Sequence, residues 1–213
     1  MKINIQFIII NHNLKNSNSI CFSDFRLISL CNSVYKVISK IIANRVKKIL
    51  SSYICPEKFG FLRDIRIHNV VAIAQEFIHS INVGKQHACL MKIDLLMAYD
   101  QVNWDFQHII RFSYRHIKWI MACVSSVSME ILINGLPTDF FIPSRGLRQS
   151  CSLSSLLFTL LMDSLSCSIS AAKTNRVIFG CSVTPSSAIT HLFFIDGVLG
   201  FGVVNYSEWE DLF

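Results

Sequence analysis

The spacing of apolar residues changes period several times along the chain, and each change predicts an element. Ile3 to Ile10 is an apolar run that predicts a strand, and the Asn- and Ser-rich stretch from Asn11 to Ser23 predicts a polar loop. Val34, Val37, Ile38, Ile41, Ile42, Val46, Ile49 and Leu50 fall at helical spacing, which predicts a helix to Leu50 with that stripe as its apolar face. Pro56 to Asp64 predicts a loop carrying Phe59 and Phe61. A second helix is expected from Ile67 to Ile81, with Ile67, Val71, Ala74, Phe77 or Ile78, and Ile81 inward and Gly84 as its C-cap. Cys89 to Asp94 has a strand pattern that ends on a carboxylate, and Asp100 follows six residues later. Trp104 to Val124 returns to helical spacing, with Ile109, Phe112, Ile117, Ile120 and Met121 as core. Glu130 to Ile142 predicts a hairpin turning at Asn134-Gly135 and adding two strands beside the Asp94 strand. A glycine-bearing loop from Ser144 then leads into a long helix reaching about Ala172. Val177 to Cys181 predicts a further strand, Thr184 to Ser187 a turn, and His191 to Phe201 a second hairpin around Asp196.

Two of these strand patterns deliver an Asp at a strand end. If the strands lie side by side, Asp94 and Asp196 converge on one point, as phosphoryl transfer requires for holding Mg²⁺ against attacking and leaving oxygens. Each residue alone has a plainer reading. Asp196-Gly197 between apolar runs is also a hairpin signal, and Asp94 also suits a strand end or a helix cap. The loop with Arg145, Arg148 and Gln149, together with the start of the helix after it, suits a phosphate or a sugar. Arg63 and Arg66, near Phe59 and Phe61, suit phosphate and base contacts.

Composition narrows the classes. With 213 residues, 52% hydrophobic and only 16% charged, the chain is expected to fold around a core, which excludes disorder. The net charge of +6 is compatible with a polyanionic partner without requiring one. Its cations gather at Lys36, Lys40, Arg45, Lys47 and Lys48, either as a solvated helix face or as a face that tracks phosphates. Eight cysteines without a C-x-x-C pair, mostly inside apolar runs, predict free thiols in a reducing, intracellular compartment. Phe7 to Ile10 is too short for a signal peptide, and Leu153 to Ile169 contains Asp163 and several serines, so no transmembrane helix and no membrane partner are expected.

The order of five blocks resembles the reverse transcriptase region of non-LTR, LINE-type retrotransposons over nearly all of residues 3 to 202. Phe25 to Asn32, with Tyr35-Lys36 and Lys40 to Arg45, is similar to that family's FRPISLCN…YK…K…ANR block. Gly60 to Asp64 and His68, running on to Ala74-Gln75-Glu76, is similar to GFLKDRxIHD…AQE. Ile93-Asp94 with Ala98-Tyr99-Asp100 resembles LDxxKAYDxV, Gly146 to Phe158 resembles GLRQGxPLSPxLF, and His191 to Phe201 resembles HLxFADDxLxF. The resemblance implies an α+β right-hand polymerase, its palm an antiparallel sheet backed by helices. Residues 1 to 87 would be the fingers-like segment and residues 88 to 213 the palm-like segment, with neither endonuclease nor thumb expected. It further implies that Asp94 and Asp196 bind two Mg²⁺ ions and that Tyr99 sits below the incoming sugar as a steric filter. Gln149 and its loop, Arg148 included, would contact nucleotide and template. Arg63, helped by Arg66, would approach the triphosphate. The implied partners are an RNA template, a DNA primer and deoxynucleoside triphosphates, and Asp100 is left a structural role.

Departures from the pattern cluster at the functional blocks. Gly197 stands where the family has the second of two paired aspartates, Ser150 where it has a glycine, and Ser152 and Ser155 where it has prolines. Leu27 replaces a proline of the first block and Ile65 an arginine of the second. The resemblance therefore implies an RNA-directed DNA polymerase whose turnover is impaired by loss of a metal-binding carboxylate. The alternative is a nucleic-acid-binding remnant without catalysis, or a decayed transposon fragment.

Overall fold

A computed structural model of the chain describes residues 3–4, 31–50, 58–59, 67–84, 88–95, 97–108, 112–133, 136–149, 151–184, 187–194 and 197–203. Residues 5–10 of the strand expected from Ile3 to Ile10, the loop from Asn11 to Ser23, and Asn134-Gly135, Arg63, Arg66 and Asp196 lie outside those residues. The chain divides into two compact units, one of Met1–Ile49 with Tyr99–Phe158 and one of Leu50–Ala98 with Thr159–Phe213. The class is α+β, as expected, with helices and a mainly antiparallel sheet.

In the first unit, helix α1 spans Ser33–Leu50. Asn32 starts it as N-cap, its Oδ1 accepting the Val34 N–H at 2.9 Å, and Lys47 and Lys48 sit in the last turn, where the helix dipole favours cations. The buried face is only partly the stripe expected from the large aliphatics, since Val46 and Leu50 belong to both. Tyr35, Ser39, Ala43, Val46 and Leu50 are buried, whereas Val34, Val37 and Ile41 are exposed. The buried set recurs at four-, four-, three- and four-residue steps, a narrow line in which small Ser39 and Ala43 allow neighbours to approach closely.

Trp104 to Val124 does not form one helix. A 3-10 helix at Trp104–His108 is followed by α3 at Tyr114–Ser125, which buries Ile120, Cys123 and Val124. The hairpin at 130–142 forms, with β5 (Leu132–Ile133) antiparallel to β6 (Leu136–Pro137). It stands as its own two-stranded sheet rather than beside the Asp94 strand, which belongs to the other unit. β1 (Ile3–Asn4) pairs in parallel with β4 (Val127–Ser128).

In the second unit a four-stranded sheet has the order β2-β9-β10-β3, with β2 at Lys58–Phe59, β9 at His191–Phe194, β10 at Gly197–Val203 and β3 at Ala88–Asp94. β10 is central and antiparallel to both β9 and β3, whereas β2 is parallel to β9. Helix α2, Ile67–Gly84, runs through the glycine expected to cap it. Its Phe77 joins Leu192, Phe201 and Cys181 in one buried cluster, the rings of Phe77 and Phe201 meeting edge to face at 4.5 Å. Val71 and Ile78 are exposed, so Phe77 is the inward residue of that pair. Along β9 the side chains alternate: Leu192 points into the α2 cluster, and its neighbour His191 points the other way. The strand expected at 177–181 begins at its last residue, as β7 (Cys181–Thr184), and turns back as β8 (Ser187–Ile189).

Helix α4, Ser152–Thr174, crosses the boundary between the units in sequence. By length and composition it is long and apolar enough to cross a membrane, unlike the 153–169 window alone, because the regular helix extends beyond that window. Its first turns have a different use for the same composition: Leu153, Leu156, Leu157 and Phe158 are buried.

Candidate active site

Asp94 is the last residue of β3 and is exposed. Its cross-strand partner is Gly197, the first residue of β10, and Gly197 is also paired with Phe194, so residues 195–196 form the two-residue link between β9 and β10. The β3 and β10 strands therefore do lie side by side, with Gly197 facing Asp94; Asp196, which precedes Gly197 in sequence, lies outside the described residues. Paired residues in an antiparallel ladder project to the same face with Cβ atoms roughly 5 Å apart. A carboxylate at position 197 would stand beside that of Asp94, and glycine leaves that place without a ligand. Among the described residues no group of three or more His, Cys, Asp or Glu side chains is arranged to hold a metal ion.

β9, which leads to Asp196, is anchored by a residue the sequence reading did not single out. His191 is buried, with Nε2 2.6 Å from the Ser166 hydroxyl of α4 and Nδ1 2.9 Å from the Thr190 hydroxyl. Ser166 is 1% exposed, so no substrate reaches this Ser–His pair, and it serves to fix β9 against α4. Periodicity carries no sign of this contact, since the partners are 25 residues apart on different elements.

The first unit holds the remaining described candidates. The turn at 97–101 begins with Met97 at φ +51°, and Tyr99 within it stacks on Phe158, ring centroids 4.5 Å apart at 19°. The loop of Gly146 to Gln149 is laced to that turn: Leu147 N–H donates to the Tyr99 carbonyl at 2.7 Å and Gly146 N–H to the Val102 carbonyl at 2.8 Å. The indole N–H of Trp104 donates to the Gly146 carbonyl at 2.9 Å. Trp104 thus holds the candidate loop from 42 residues away. Burial of Asp100 raises its carboxyl pKa above the ordinary carboxylate range.

Arg148 turns inward. It is buried, its guanidinium lies 4.1 Å over the Tyr35 ring, and it donates to the Cys123 carbonyl, while Nη1 has no hydrogen-bond partner among the described residues. Gln149, the next residue, stays half-buried. Arg148 therefore anchors the loop at one residue while its neighbour remains within reach of solvent.

The chain is similar to known proteins in sequence and in structure. The family model described as reverse transcriptase (RNA-dependent DNA polymerase) matches residues 14–203. A curated relative, the transposon TX1 uncharacterized 149 kDa protein of Xenopus laevis, is 24% identical over 161 residues, 73% of this chain. The match spans only 12% of that relative's length. Among solved structures, apo telomerase from Candida tropicalis, truncated from its C-terminal domain, aligns over 84% of this chain and 35% of its own, at 12% identity and a TM-score of 0.47. With a family match that covers most of its length, this chain belongs to the reverse transcriptase family.

Proposed function

We propose that the chain is the reverse transcriptase domain of a non-LTR, LINE-type retrotransposon, shaped for RNA-templated nucleotidyl transfer and impaired in it. The observation that supports this most directly is the register of β10 on β3, which pairs Gly197 with Asp94. In this reading residues 1 to 87 act as fingers and 88 to 213 as palm, on an RNA template, a DNA primer and deoxynucleoside triphosphates.

The family implies a divalent metal ion. Mg²⁺ needs only one or two protein carboxylates when water and substrate phosphates complete its shell, so a donor set of Asp94 and Asp196 fits the ion, with a ligand fewer than a paired aspartate would give. When bound, the metal would supply charge neutralisation at the reacting phosphates. The other roles belong to the chain. Tyr99, its ring braced flat on Phe158, limits the space beneath the incoming sugar. Gln149, on a loop pinned by Trp104 and Arg148, presents an amide to template or nucleotide. Arg63 and Arg66 offer guanidinium groups to the triphosphate.

Loss of one preorganised electrostatic element costs about 10²–10³ in rate, so turnover in the native chain is expected to be very low. The test is Mn²⁺ binding followed by electron paramagnetic resonance, alongside primer extension on an RNA template. Gly197→Asp is expected to tighten Mn²⁺ binding by about tenfold or more, since a second charged oxygen ligand joins the site. Asp94→Asn is expected to remove the binding. Unchanged affinity in both variants would overturn the site, and robust extension by the native chain that Asp94→Asn abolishes would overturn the impairment.

A further inference from the structure

Two cysteines line one cavity of about 440 Å³ in the first unit, Cys31 from the entry to α1 and Cys151 from the entry to α4; Tyr35, Lys36, Ser39 and Lys40 complete its chemistry. Cys151 immediately precedes Ser152, the first residue of α4, and its sulfur occupies the N-cap position. The N–H groups of Ser154 and Leu153, which have no partners within the helix, are directed to it, and the Tyr35 hydroxyl lies 3.7 Å from Sγ. Burial by itself raises the thiol pKa, but those donors outweigh it and leave Cys151 below the ordinary thiol range. Ser39 adds nothing as a donor, because its one hydroxyl proton is given to the Lys36 carbonyl at 3.0 Å. Cys31 differs: burial raises its pKa, and the Arg148 guanidinium only partly offsets this. Arg148 is buried and keeps one nitrogen, Nη1, without a hydrogen-bond partner among the described residues. One cavity thus holds a sulfur set up as a nucleophile, a second that keeps its proton, and two lysines in its wall.

We propose that Cys151 is an oxidation site for a hydroperoxide and that Cys31 is its resolving partner, so that the two close to a disulfide. In the first step the Cys151 thiolate attacks the terminal peroxide oxygen. A sulfur–oxygen bond forms as the oxygen–oxygen bond breaks, and the alkoxide or hydroxide released takes up the proton that Cys151 gave to solvent, leaving as alcohol or water. In the second step the Cys31 sulfur attacks Sγ of the Cys151 sulfenic acid. The sulfur–sulfur bond forms as the sulfur–oxygen bond breaks, and the hydroxide leaves with the Cys31 proton as water. Two thiols lose two electrons and two protons, and the hydroperoxide is reduced by the same two electrons. Since Cys151 lies two residues after Gln149, the bridge would tie the loop of Arg148 and Gln149 to the start of α1.

The experiment exposes the full-length chain to hydrogen peroxide and maps the products by mass spectrometry without reduction. The expected product is a peptide pair linked through Cys31 and Cys151. In Cys31→Ser, dimedone is expected to trap the sulfenic acid on Cys151 about tenfold faster than on Cys167, an exposed thiol that serves as internal reference. In the native chain, alkylation by iodoacetamide before oxidation should likewise reach Cys151 ahead of Cys167, a comparison that needs no variant to fold. A linkage of Cys31 to another cysteine, or labelling of Cys167 ahead of Cys151, overturns the proposal.

Discussion

Gly146 has φ +94°, and a Cβ there would stand 3.1 Å from the carbonyl oxygen of Asp100. Both facts demand glycine, the first through backbone strain and the second through crowding against a main-chain atom that has no free end to swing aside. Gly146→Ala is expected to cost about 1–3 kcal/mol, read as a lower urea midpoint, with the Leu147 amide losing hydrogen-exchange protection. Asp100, on the other side of that contact, makes a prediction about pH. A raised folded-state pKa means that the folded chain binds more protons than the unfolded chain between the two values. Its contribution is therefore most favourable below the unfolded-state pKa of about 4 and is lost as pH rises through the folded value. Asp100→Asn should raise the melting temperature relative to the native chain at pH 7, with the gain shrinking towards pH 4. Equal differences at both pH values would contradict this account.

At the scale of elements, the helical period places α1 within one residue of its ends, yet only part of its inward face, Val46 and Leu50, follows the expected stripe. Amphipathic periodicity finds a face only when apolar residues occupy one side, and α1 carries large aliphatics around most of its circumference. What faces inward was decided by the shapes packed against it, which selected Tyr35 with the small residues Ser39 and Ala43. Ala43→Leu should overpack that line and cost about 1–3 kcal/mol. Val34→Lys, on the exposed side, should change stability by no more than about 0.5 kcal/mol. Chemical unfolding of the two variants separates the faces. The hairpin of β9 and β10 is legible from its alternation, although Gly197, expected in the turn as half of an Asp-Gly pair, is already a paired residue of β10.

On the scale of the molecule, four cations of α1, Lys36, Lys40, Arg45 and Lys48, are exposed, and the helix carries no acidic residue. If the chain binds single-stranded RNA, as the nucleic-acid-binding alternative implies, these cations are the candidates to contact its phosphates. Each phosphate neutralised contributes about −0.7 to the slope of log affinity against log salt. Replacing Lys36 and Lys40 by alanine should make that slope shallower by about 1.4 if both contact phosphates. Fluorescence anisotropy across a salt series would read this, and an unchanged slope would assign these lysines to a solvated face.

Sequence alone determined the existence of most elements, the order of the blocks and the acidic strand end at Asp94, because periodicity and short-range turn chemistry are local properties of the chain. Packing over long separations decided the rest. It paired Gly197 with Asp94 across about a hundred residues, set Trp104 to hold the Gly146 loop, buried His191 against Ser166, and stood Arg148 on Tyr35. Those contacts join residues that share no local pattern, and their free energy exists only once the intervening chain has folded to bring them together.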